Sequence, residues 1–151
     1  MKKMDKRTRV LNAMNKKEVD HVPVGFWFHF GGEEAVGDAC VQAHLKYYRE
    51  TDLDFVKIMC DNYFPYPLPK IEKAEDWTTL EPLTADHPFI REQVERAKAI
   101  VDDIGKERCV FYNVFAPFSS LRFGADAIGI NDDQVMEYIR TDRTAVMKAL
   151  D

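Results

Sequence analysis

The chain of 151 residues has only three cysteines, Cys40, Cys60 and Cys109, odd in number and far apart. That excludes a disulfide framework and a zinc ribbon. The apolar or helical context of each predicts a buried, reduced thiol. No stretch approaches the ~18 apolar residues of a membrane span, so no membrane association is expected. The basic start (Lys2, Lys3, Lys6, Arg7 and Arg9 against Asp5) is not followed by the apolar core of a signal peptide, which leaves the cytoplasm as the expected location. A net charge of −5 and a pI of about 5.4 argue against a nucleic-acid surface. Neither G-x-G-x-x-G, a P-loop nor G-x-S-x-G occurs, which removes the common phosphate cradles and the nucleophile elbow. Repeats and low-complexity tracts are also missing. What is present, 46% hydrophobic and 31% charged residues, is the composition of one globular domain spanning 1–151.

Hydrophobic periodicity gives an alternating α/β order. A helix is expected over Asp5–Asn15, capped by Asp5 or Thr8, with Val10, Leu11 and Met14 at helical spacing. A strand follows over Val22–Trp27, with Pro23 at its start, where a missing N–H is tolerated. Glu33–Glu50 reads as a helix with a broad stripe of mostly small residues, including Ala39, Cys40, Ala43, His44 and Tyr47. Phe55–Cys60 reads as a buried strand interrupted by Lys57, so that either burial is incomplete or the lysine stem snorkels. Strand, helix and strand within this length imply parallel pairing.

Lys70–His87 is polar and reads as a loop with one short helix near Ala74–Thr79. Pro88–Ile104 carries the clearest helical pattern, Ile90, Val94, Ala97, Val101 and Ile104, with Pro88 in the first turn and Gly105 as the C′ residue. Arg108–Phe115 is the third expected strand. A short helix over Ser119–Phe123 follows, then one over Val135–Arg140 capped from Asn131-Asp132-Asp133. Thr141 or Asp142 opens a last helix with Ala145, Val146, Ala149 and Leu150 apolar.

In parallel sheets ligands bind at the carboxyl ends of the strands. Those ends present Trp27-Phe28-His29-Phe30-Gly31, then Cys60-Asp61-Asn62-Tyr63, then Phe115-Ala116-Pro117 with Ser119. One carboxylate, one imidazole and many aromatics on a single rim suit a largely apolar or planar ligand. Asp61 is the candidate polar anchor, either with a pKa raised by desolvation or accepting ligand N–H groups. A turn aspartate bonding its own backbone is the plainer alternative. His29 fits an acid, a base or a metal ligand, and fits equally a rim residue that fills space. A zinc site on Cys60, Asp61 and His29 has no close ligand pair in sequence to support it. Tyr63, Phe64 and Tyr66 wall the expected pocket, and Arg122 is placed to meet a ligand carboxylate or to lie on the surface.

Three segments resemble the uroporphyrinogen decarboxylase superfamily, which includes cobalamin-dependent methyltransferases. They are R-V-L-N-A-M-N-K-K-E-V-D-H-V-P-V (Arg9–Val24), D-L-D-F-V-K-I-M-C-D (Asp52–Asp61) and F-Y-N-V-F-A-P-F-S-S-L (Phe111–Leu121). The resemblance implies a (β/α)8 barrel of ~250 residues or more, of which this chain holds about three βα units. It implies that Asp61 matches the aspartate that binds the pyrrole N–H groups of a tetrapyrrole. The superfamily's decarboxylases carry an arginine-rich R-Q-A-G-R-Y stretch after the first strand. Here Phe26-Trp27-Phe28-His29-Phe30-Gly31-Gly32 stands in its place, which argues against strict uroporphyrinogen decarboxylation. The decarboxylase reading needs no cofactor. The methyltransferase reading brings zinc and a corrinoid, with ligands outside this chain.

The last helix stops at Asp151 without a C-cap, a glycine or a polar tail, which reads as a C-terminally truncated barrel portion. The expected partners are a small-molecule substrate and either a second copy or the missing C-terminal half. An inactive fragment and a small α/β binding domain are the alternatives to an enzyme.

Overall fold

A computed structural model describes residues 3–60 and 66–150. The chain divides into two compact units, Met1–Asp61 with Asp86–Asn113, and Asn62–Ala85 with Val114–Asp151. The architecture is α/β, with two parallel strands among the described residues.

In the first unit, α1 (Lys6–Met14) is capped by Asp5, whose carboxylate accepts the Thr8 N–H at 2.8 Å. That bond is the main reason the Asp5 carboxyl is held below its ordinary pKa. Helices α2 (Gly37–Glu50) and α3 (Pro88–Ile104) and strands β1 (Phe55–Ile58) and β2 (Cys109–Tyr112) complete the unit. The strands run parallel, with Phe55 opposite Cys109, Lys57 opposite Phe111 and Ile58 opposite Tyr112. Both helices cover the same sheet face. Leu45 and Tyr48 of α2 and Ile100 and Ile104 of α3 close over Val56 and Ile58 in one apolar core. The opposite face carries Phe55, Lys57 and Phe111, because side chains alternate along a strand.

Several expectations need correction here. Val22–Trp27 forms no ladder. Its polar backbone groups are met largely by side chains: Asp54 Oδ2 accepts the Val24 N–H, and the Tyr48 hydroxyl reaches Phe26 O. One backbone bond, from Asp54 N to Val24 O, remains. The helix expected from Glu33 is broken. A 3₁₀ turn over Gly32–Ala35 ends at extended Val36, and α2 starts at Gly37, whose φ of +58° suits a residue without Cβ. Both strands are shorter than the apolar runs that announce them. Gly105 ends α3 in a right-handed conformation, φ −66°, rather than a left-handed one.

The expected apolar face of α3 is only partly used. Ile100, Ile104 and Arg96 are buried, whereas Val94 is 60% exposed and Val101 45%. Ala97, Ile100 and Ile104 follow the groove over the sheet, which turns Val94 and Val101 outward. With Ile90, Ala97 and Tyr112 these two border a shallow apolar groove.

In the second unit, the 3₁₀ segment Ala74–Thr79 and helices α4 (Pro117–Ala127), α5 (Asp132–Thr141) and α6 (Arg143–Lys148) pack around Trp77. Helix α4 begins at Pro117 and extends past the expected Ser119–Phe123, with proline at the position where its missing N–H costs nothing. Asn131 and Gln134 form a reciprocal cap: Asn131 Oδ1 accepts the Gln134 N–H at 2.9 Å, and Gln134 Oε1 accepts the Asn131 N–H at 3.0 Å. Asn131→Ala is expected to cost about 1 kcal/mol, read as a lower urea midpoint at unchanged m-value. Among the described residues no helix is long and apolar enough to cross a membrane.

Candidate functional site

Asp61, Asn62 and Tyr63, with Phe64, lie outside the described residues. The remaining expected rim residues fall in the two units, each with its own surroundings.

In the first unit, the segment ending at Gly31 carries an aromatic cluster. Phe28 meets Phe30 edge-on, with centroids 5.5 Å apart, and Phe30 lies 4.7 Å from the His44 ring and 6.3 Å from Tyr47. Phe26, Trp27 and Phe28 remain largely exposed. His29 is exposed in the same segment. His44 is buried on the α2 stripe, with its Nδ1 2.8 Å from Cys40 O. All three cysteines are buried thiols.

On the sheet face opposite α2 and α3, the cation among the described residues is Lys57. Lys57 Nζ stands 3.6 Å from the centroid of Trp27. Its strand position is held from the other side by Tyr48, whose hydroxyl accepts the Lys57 N–H and bonds Lys57 O, both at 2.8 Å. Burial of this phenol pushes its pKa up to about 12. Phe55 and Phe111 flank the lysine in an edge-to-face pair, centroids 5.4 Å apart. Among the described residues Lys57 makes no ion pair. The sequence expectation names Lys57 as a break in an apolar run, with incomplete burial or a snorkelling stem. Its alternation with Phe55, opposite in phase to Val56 and Ile58, is the signal that marks it as a residue of the face opposite α2 and α3.

A second cleft of about 660 Å³ opens at the amino end of β1, among Lys3, Lys6, His21, Asp52 and Lys106. Its buried charge is structural. Arg9 Nε and Nη2 bond Asp20 at 2.6 and 2.9 Å, and Nη1 bonds Asp54 at 2.5 Å. Arg108, also buried, bonds Tyr48 O at the carboxyl end of α2, where a cation meets the helix dipole.

In the second unit, a cleft of about 570 Å³ is lined by Tyr66, Leu68, Leu80, Pro117, Ser120 and Leu150. Tyr66 donates its hydroxyl to Glu81 O at 2.7 Å. Gly124 allows the close approach here, since a Cβ would stand 3.0 Å from Leu68 Cδ1 and 3.3 Å from Tyr66 O. Of the expected residues, Pro117 borders this cleft, Ser119 is half-buried in the first turn of α4, and Phe115 stacks edge-on with Phe123 at 5.4 Å. Arg122 is already engaged. Its Nε bonds Asp132 Oδ1 at 2.7 Å, its Nη2 bonds Oδ2, and the pair raises the arginine pKa while lowering that of Asp132.

Among the described residues no three His, Cys, Asp or Glu side chains converge on a metal position. Compared with protein-family models, with curated proteins and with solved structures, the chain matches none.

Proposed function

We propose that the chain is uroporphyrinogen decarboxylase-like, an arc of a (β/α)8 barrel that binds a tetrapyrrole or a related ligand at the carboxyl ends of its strands. Asp61 is the main polar anchor, accepting ligand N–H groups. His29, Trp27, Phe28 and Phe30 form the rim beside it.

The observation that carries this reading is the one-sided cover of the sheet. Helices α2 and α3 both pack on the Val56 and Ile58 face. A doubly wound sheet distributes its helices over both faces, whereas a barrel keeps them all outside. The other face, with Phe55, Lys57 and Phe111, is then the inside. The three resembling segments supply the second support, in the order and spacing of the superfamily. Without arginines in the Phe26–Gly32 stretch, removal of carboxylates from a highly carboxylated tetrapyrrole lacks its usual counter-charges. Ligand binding is therefore the activity assigned.

Calorimetric titration with coproporphyrinogen III, kept reduced under argon, tests the reading. Asp61→Asn is expected to weaken binding at least tenfold while the urea midpoint stays unchanged. Unchanged binding in that variant would remove Asp61 from the site.

A further inference from the structure

We infer that Lys57 is the cation that receives a ligand carboxylate, so that the occupant of the open sheet face is an aromatic ring system bearing carboxylic acid groups. The inference rests on the tetrapyrrole reading above and names the charge recognition that reading lacks.

Lys57 projects from the face opposite α2 and α3, between Phe55 and Phe111 and over Trp27. Lys57 is half-buried, and among the described residues no carboxylate pairs with it; its electrostatic partner is the face of the Trp27 indole. A cation–π contact leaves the outward ammonium hydrogens available as donors, because the ring engages only one side of the group. The surrounding surface is apolar and flat: Phe111 is 37% exposed, Trp27 49%. Such a surface gains from stacking an arene and cannot satisfy an anion except at Lys57. The backbone at this position is anchored, since the Tyr48 hydroxyl bonds both the N–H and the C=O of residue 57. An ammonium held against an aromatic platform discriminates an acid-bearing ring from a neutral one. It contacts Trp27 of the stretch where the superfamily's arginines are missing.

The test is calorimetry of coproporphyrinogen III, under argon, on the full chain and on Lys57→Met, Lys57→Arg and Asp61→Asn. Lys57→Met is expected to bind at least tenfold more weakly, and Lys57→Arg within threefold of the unsubstituted chain. If Lys57→Met lacks a cooperative urea transition, Lys57→Gln, which keeps the stem and a polar tip, is read in its place with the same expectation. Undiminished binding by Lys57→Met overturns the inference, as does equal loss in Lys57→Met and Lys57→Arg, which would mark a role in shape rather than charge. Weakening by Lys57→Met with full binding by Asp61→Asn leaves Lys57 in place and removes only Asp61. No binding by the unsubstituted chain overturns both.

Discussion

Arg9→Met is expected to destabilise the first unit by about 3 kcal/mol, the lower end of the cost of stranding a buried ion-pair partner. Arg9 is 2% exposed and Asp54 5%, so the guanidinium is inaccessible to water. Three of its nitrogens are used: two on Asp20 and one on Asp54, with Nη2 also donating to Met4 O at 2.6 Å. Asp54 Oδ2 in turn accepts the Val24 N–H at 2.8 Å, so one arginine joins α1, the 20–24 segment and the start of β1. Methionine fills much of the stem volume but leaves Asp54 buried without its counter-ion. The lower end of the range applies because the Asp20 side chain, 13% exposed, can rehydrate. The first unit carries Trp27 and the second Trp77, so urea unfolding followed by Trp27 emission in a Trp77→Phe background reports this transition. An unchanged midpoint would show that Arg9 is replaceable by packing alone.

The same cluster sets an acid dependence. The hydrogen bonds from Arg9, first among the causes, hold the Asp20 carboxyl well below the usual carboxylate range. A folded-state pKa below the unfolded value of about 3.9 contributes stability above that value and loses it as pH falls through the folded pKa. Asp52 beside Lys6, and Asp76 accepting the Glu72 and Lys73 N–H groups, are lowered in the same direction. Stability is therefore flat at neutral pH and falls below about pH 4. Arg9→Met loses the Asp20 contribution, so its acid limb is shallower than that of the unsubstituted chain.

Local chemistry made some elements legible and long-range partners hid others. Both ends of α3 follow from sequence, because Pro88 suits the first turn and the periodic run stops at Gly105. The 3₁₀ segment Ala74–Thr79 was likewise marked, with Asp76 bonding its own turn. Which side of α3 is buried was not legible, since Ile90, Val94 and Val101 are as apolar as Ile100 and only the groove over the sheet chooses among them. Val22–Trp27 has strand composition, but its bonding partners are the side chains of Asp54 and Tyr48, distant in sequence. Arg122 showed no sign of Asp132, which reaches it from the first turn of α5. Of the expected rim, the first unit holds Phe28 and Phe30 in an aromatic cluster with His44 and Tyr47. The face on which Lys57 lies required the register of β1 against β2.

Trp77→Ala is expected to cost about 3–5 kcal/mol and to unfold the second unit at room temperature or close to it. Trp77 is fully buried, surrounded by Ile71, Leu121, Ala125, Ile130, Val135 and Val146, with the Tyr138 ring 6.4 Å away at 65°. The second unit is small, so a cavity the size of an indole removes a large share of its apolar contacts. Trp77→Phe separates packing from polarity. The indole Nε1–H has no hydrogen-bond partner among the described residues. Burying an unsatisfied donor costs about 1–3 kcal/mol, and phenylalanine removes that cost while keeping most of the ring. Trp77→Phe is expected to lose no more than about 1.5 kcal/mol, far less than the alanine variant. Chemical denaturation followed by far-UV circular dichroism checks both. Equal losses in the two variants would mean that the N–H is satisfied in solution and that the indole edge, not the ring as a whole, holds the unit together.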